Sequence, residues 1–169
     1  IAMALRTPTK DAEDIKCRYG CALRGMADPH ELVEVAGVGD RGVRQLSRQT
    51  LSEVIEPRVE ELYSMVQAEL RHSGFEQLLS SGIVITGGCS SLQGMVELGE
   101  EIFHMPVRLG LPHYRGSLDE VVLNPRCSTG IGLIQAGMEQ FRLNQHVRLQ
   151  GNSFTRILER MKSWFQVNF

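Results

Sequence analysis

Several absences narrow this chain of 169 residues before any motif is weighed. No apolar run approaches the roughly 20 residues that a membrane-spanning helix needs. No charge of one sign dominates: 18 Lys and Arg stand against 20 Asp and Glu, a formal charge of −2. That balance argues against nucleic-acid binding, which wants a concentrated basic surface. Any selection of partners by charge must come from local patches. No CxxC pair occurs among Cys17, Cys21, Cys89 and Cys127, and no His accompanies them at ligand spacing. A zinc site is therefore not expected, and buried free thiols in a reducing cytosol are. Cys17 and Cys21 are spaced as same-face neighbours on a helix. No secretory signal opens the chain. No initiator Met opens it either. Ile1 to Leu5 reads as the inside of a helix that Thr7-Pro8-Thr9 stops, so a piece of a longer protein is expected. Aromatics are scarce at 6%, which makes a local concentration of them informative.

What is present alternates strands and helices. A helix is predicted over about Asp11 to Leu23, with Ala12, Ile15, Tyr19 and Ala22 on its apolar side and Gly25 ending it. Asp11, Glu13 and Asp14 suit its dipole. Leu32 to Val38 reads as a half-buried strand that sets Leu32, Val33 and Val35 against Glu31 and Glu34. Val43 to Leu46 reads as its return. Thr50-Leu-Ser-Glu53 reads as a capping box opening a long helix to about His72. Its stripe is Leu51, Val54, Ile55, Val59, Leu62, Val66 and Leu70, and Pro57 should kink it. Ser73-Gly74 ends it. Gly82 to Thr86 is a short buried strand, Leu92 to Phe103 a helix, Pro106 to Leu109 a strand. Ser128 to Phe141 is a helix with Ile131, Leu133, Ile134 and Met138 on its apolar faces. The order predicts an α/β fold with a mixed sheet and flanking helices. Residues 1–141 form the domain, 142–152 a polar linker, and 153–169 a separate amphipathic unit.

Ile83-Val-Ile-Thr-Gly87-Gly88-Cys-Ser-Ser-Leu92 places two glycines between a strand and a helix. Glycines there let backbone approach a flat ligand closely, and a helix start offers free N–H groups. By itself such a turn is more often structural. Upstream, Glu13 and Lys16 lie three apart on one helix face, where an exposed ion pair is the plain alternative.

Together the two segments resemble the adenosine motif and the Ala-Glu-x-x-Lys helix of the superfamily of actin, sugar kinases and heat-shock-chaperone ATPases. Within it the chain resembles the FtsA family most closely. The resemblance rests on Asp11-Ala-Glu-x-Ile-Lys16, Gly20-Cys-Ala-Leu23, Arg48-Gln-Thr-Leu-x-Glu-Val-Ile-Glu-Pro-Arg58, Ile85-Thr-Gly-Gly88, Ser128-Thr-x-x-Gly-Leu133 and Lys162-Ser-Trp-Phe165, and covers essentially the whole chain. It implies an actin-like nucleotide-binding fold. Glu13 would accept from the ribose and Lys16 would lie over the base, with Gly87, Gly88, Cys89 and Leu92 completing an adenosine half-site for ATP. Cys89 departs from the small residue many relatives carry. Phosphate loops and metal-holding acids would lie upstream of Ile1, so no catalytic residue is expected in this chain. By itself it should bind ATP no better than about millimolar.

At the C-terminus Phe154, Ile157, Leu158, Met161, Trp164 and Phe165 fall within one arc of about 120° on a helical projection. Arg156 and Arg160 lie opposite and Lys162 near the rim. Aromatics on one face and cations on the other suit a helix lying in a membrane interface. A helix docked on its own domain is the alternative. The resemblance implies a tether to the cytoplasmic face of the inner membrane at the division site. It also implies self-association into actin-like polymers and capture of the C-terminal peptide of FtsZ, for which Arg44 and Arg48 are the candidate residues. Two other readings stay open: a sugar-kinase-like phosphotransferase, for which the terminal helix has no use, and a pilus-assembly actin-like protein.

Overall fold

The computed structural model describes residues 1–39, 42–114 and 122–143. A single turn of helix, α1 (Ala2–Leu5), stops at Arg6, whose φ of 47° is left-handed. Helix α2 (Thr9–Tyr19) follows. It stops four residues before the predicted end because Gly20 turns extended. Gly20 also lies under Leu92: a Cβ there would sit 2.6 Å from Leu92 Cδ1. Side-chain bulk at Gly20 would push the two segments apart.

Strands β1 (Leu32–Val35) and β2 (Arg44–Ser47) form an antiparallel hairpin in which Val33 faces Leu46 and Val35 faces Arg44. Period-two alternation decides which residues are inside. Val33 and Val35 are fully buried, and Leu32, expected beside them, is 59% exposed with Glu34 on the outer face.

Helix α3 (Arg48–Ser73) is the longest element, about 39 Å at 1.5 Å per residue. Ser47 rather than Thr50 caps it: the Ser47 hydroxyl accepts from the Thr50 N–H at 3.1 Å. The helix is continuous through Pro57 and ends at Gly74, whose φ of 74° is left-handed. Its first half supplies Leu51 and Ile55 to a core with Leu5, Ile15, Val33 and Val35. Its second half turns away from the predicted stripe. Leu62 and Val66 are exposed, and Tyr63 is buried in a second core with Ala22, Met95, Leu98, Phe103 and Val107. The Tyr63 hydroxyl donates to the Met95 carbonyl at 3.0 Å, and its ring lies 5.1 Å from that of Phe103. Val59 and Leu92 touch both cores and join them.

Strand β3 (Ile83–Ile85), helix α4 (Met95–Phe103) and strand β4 (Val107–Leu109) form a β–α–β unit with parallel strands, Ile83 beside Val107 and Ile85 beside Leu109. β3 is not the buried strand expected from its composition: Val84 is 49% exposed, while Ile83 and Ile85 pack inward. Residues 128–143 form helix α5, two residues past the predicted domain boundary. Leu133, Ile134 and Met138 on it face solvent among the described residues. The remainder of the linker and the whole terminal amphipathic unit lie outside the described residues.

Arg48 joins these parts. Its Nε donates to the Tyr19 carbonyl at 2.9 Å, Nη1 pairs with Glu31 Oε2 at 3.0 Å, and Nη2 donates to Gln93 Oε1 at 2.5 Å. The side chain is only 18% exposed. Replacing Arg48 with Met should lower stability by about 2–4 kcal/mol, because a carbonyl and a carboxylate lose a charged partner. Thermal denaturation checks this; an unchanged midpoint would show that the brace contributes nothing.

Candidate functional site

Beyond Gly20 the chain runs beside the segment that leads into α4. Cys21 bridges Gln93 in a parallel β-bridge, and the Ala22 N–H donates to the Gln93 carbonyl at 2.7 Å. This junction sets the outer face of α2 against the turn that follows β3. Between them lies a cleft of about 240 Å³ lined by Glu13, Lys16, Cys17, Gly88, Cys89, Ser91, Leu92 and Arg126. Five of the six residues assigned to the adenosine half-site therefore meet, although up to 79 positions separate them in the chain.

The sixth, Gly87, stands behind the wall and shapes it. Its φ of 96° and ψ of 172° belong to a region essentially reserved for glycine. Its N–H donates to the Pro125 carbonyl at 3.1 Å, and its own carbonyl accepts from the Ser90 hydroxyl at 2.7 Å. Gly88 to Ser91 then form one 3-10 turn, and α4 starts at Met95 rather than at the predicted Leu92. A Cβ at Gly88 would make only ordinary contact with Arg126 Cγ, at 3.5 Å. The packing of the described residues thus does not demand glycine at Gly88.

Glu13 and Lys16 are paired with each other at 2.6 Å. The plain ion-pair reading and the site reading meet here, since the pair forms one wall. Hydrogen bonding to Lys16, then its charge, holds the Glu13 carboxyl below the usual carboxylate value. The same bond raises the Lys16 ammonium, with smaller contributions from the charges of Glu13, Cys89 and Cys17. Both groups are therefore charged at neutral pH. The Cys17 thiol also reaches Glu13, donating to Oε1 at 3.6 Å. Arg126 enters from the 3-10 turn Pro125–Cys127, which the Asn124 side chain caps by accepting from the Arg126 N–H at 3.0 Å. No local pattern singled Arg126 out; only the docking of Pro125 on Gly87 brings it to the cleft. With Glu13 matched to Lys16, Arg126 leaves the cleft positive.

A larger depression of about 460 Å³ lies on the other face of α2. Asp11, Asp14 and Glu34 line it with a single cation, Arg18. Three carboxylates there would repel an anionic ligand, so the smaller, positive cleft is the candidate site. It offers an acceptor for hydroxyls, a cation, an apolar side chain and open glycine backbone. That donor set fits the nucleoside end of a nucleotide.

Cys17 and Cys89 are exposed in the cleft and Cys21 is fully buried, so only part of the expected set of buried thiols is buried. Arg44 opens β2 and Arg48 opens α3, so both lie beside the start of the long helix as expected, but Arg48 is held in the internal bonds described above. That geometry argues against its expected docking role. Arg44 donates to the Leu5 carbonyl and remains exposed.

A Glu/Lys helix facing a strand–double-glycine turn across a cleft belongs to a part of an α/β domain, and the family that the chain matches makes that domain one of the actin-like kind. The chain belongs to the FtsA family, since residues 1–132 match the family described as Cell division protein FtsA. It is 53% identical to Cell division protein FtsA of Pseudomonas aeruginosa, 39% to that of Neisseria meningitidis and 38% to that of Escherichia coli K12. Each match covers all of this chain and 42% of the relative, so the chain spans about two fifths of the length of those proteins.

Proposed function

We propose that this chain is the adenosine-side and membrane-side part of a cell-division adaptor that binds ATP and links FtsZ to the inner membrane. The observation that carries the nucleotide part is the cleft itself, where Glu13 and Lys16 meet Gly88, Cys89 and Leu92 from a distant segment. Glu13 would accept from ribose hydroxyls, Lys16 and Leu92 would flank the base, and Gly88 would let backbone come close. ATP would supply a charged phosphate end to be held by other parts of the full-length protein. Membership of the FtsA family supports the cell-division role and an actin-like mode of self-association. The reading is of an adaptor, with no catalytic step assigned to these residues.

Calorimetry on the full-length protein tests the nucleotide part. Glu13→Gln should weaken ATP by about tenfold or more through loss of charged acceptor bonds. The thermal midpoint without nucleotide should hold, because exposed ion pairs add little stability. Equal ATP affinity in both proteins would overturn the assignment.

For the FtsZ part, Arg44 is the exposed cation beside the start of α3 that remains suited to an acidic, partly apolar peptide. Arg44→Glu should weaken binding of the FtsZ C-terminal peptide while circular dichroism stays the same. Unaltered peptide affinity would reject this role.

The membrane part rests on the sequence of residues 153–169. Burying Trp164 in an interface contributes roughly 1.5–3 kcal/mol. Trp164→Glu removes that and sets a like charge against an anionic leaflet, so binding to anionic liposomes should fall by more than about a hundredfold. Added salt should weaken the parent protein's binding only in part, because screening acts on Arg156, Arg160 and Lys162 and not on the apolar arc. Co-sedimentation reads both effects, and a variant that pellets as the parent does would rule out the tail as an anchor.

A further inference from the structure

Two thiols face each other across the cleft. Cys17 stands on α2 one position beyond Lys16, and Cys89 stands in the turn beyond the double glycine. Both are exposed, whereas Cys21 is completely buried with its thiol donating to the Leu23 carbonyl at 3.1 Å. The chain thus sorts its cysteines by position: two walls of one cleft each present a reachable sulfur. The surroundings suit thiol chemistry. Reactive cysteines sit in partly exposed, electropositive places. Here two cations, Lys16 and Arg126, line the same cleft against one carboxylate, Glu13, to which the Cys17 thiol donates.

We propose that Cys17 and Cys89 form a thiol-modification site that closes the cleft: a low-molecular-weight disulfide of the glutathione class caps either sulfur and excludes the nucleotide. This rests on the nucleotide reading of the cleft given above. The step balances without a further oxidant. The cysteine thiolate attacks one sulfur of the disulfide, whose S–S bond breaks as a new S–S bond forms to Sγ. One equivalent of thiolate leaves and takes up the proton that the cysteine gave. A peptide-sized cap cannot share about 240 Å³ with a nucleoside. A cap on Cys17 also removes the thiol that donates to Glu13. The modification is reversible by thiols, so the cleft would open again when the disulfide pool is reduced.

The full-length protein treated with oxidised glutathione tests this. Peptide mass spectrometry should find caps on Cys17 and Cys89 and none on Cys21, and saturating ATP should protect the first two. The capped protein should keep its circular dichroism but lose at least about tenfold in ATP affinity, which is about 1.4 kcal/mol. Dithiothreitol should restore the affinity. The double variant C17S/C89S, whatever its own starting affinity, should not respond to the reagent. Caps that leave ATP affinity unchanged, or that form equally fast under saturating ATP, overturn this inference alone. Loss of ellipticity on capping, or failure of both thiols to react, also overturns it. An untreated protein that binds no ATP overturns the reading of the cleft and this inference with it.

Discussion

Arg48 stands where three stretches of chain meet, and the geometry of the rest follows from that meeting. One guanidinium satisfies the carbonyl of Tyr19 at the end of α2, the carboxylate of Glu31 before β1 and the amide oxygen of Gln93 before α4. A planar fork with five donors in fixed directions can serve three acceptors at once; an ammonium could not hold the same angles. The Arg48 N–H also donates to the Glu31 carbonyl, at 2.8 Å. The end of α2, the hairpin and the approach to α4 are therefore held at one residue.

The cleft is a consequence of that junction. With Tyr19 and Gln93 held to one side chain, and Cys21 paired to Gln93, α2 must present Glu13, Lys16 and Cys17 to the double-glycine turn. Helical period places Asp11, Asp14 and Arg18 on the opposite face, above the hairpin. A single helix thus separates an acidic depression from a positive cleft, and the sign of the charge selects between them. Leu92 contributes to both cores and to the cleft, so the packing of the protein and the shape of its site are not independent.

Apolar residues outside the two cores follow a different logic. Leu62, Met65 and Val66 on α3 and Leu133, Ile134 and Met138 on α5 recur at helical spacing yet are exposed among the described residues. Periodicity specifies a stripe on a helix; it does not specify what lies opposite. Along α3 the second core is reached through Tyr63 and through Gln67, whose amide donates to the Ile102 carbonyl at 2.7 Å. Residues with polar tips outranked the aliphatic stripe there: Gln67 satisfies a carbonyl at the C-terminal end of α4, and Tyr63 bonds the carbonyl of its first residue, Met95.

The sequence by itself determined the local events. It placed the stop of α3 at Gly74, where a left-handed φ suits glycine, and the turn at Gly87, whose backbone angles only glycine adopts readily. It determined the inward positions of Val33 and Val35 through strand alternation, and the neighbourhood of Glu13 and Lys16 through helical spacing. Each of these depends on a few consecutive residues. Tertiary structure alone decided the rest. It chose Ser47 over Thr50 as the cap of α3, left Leu32 outside, and drew Arg48 into the interior. It brought Arg126 to the cleft and exposed Cys17 and Cys89 while burying Cys21. Burial and hydrogen-bond partnership are properties of two surfaces meeting, and those surfaces come from segments far apart in the chain. A local pattern names one side of such a contact and is silent on the other.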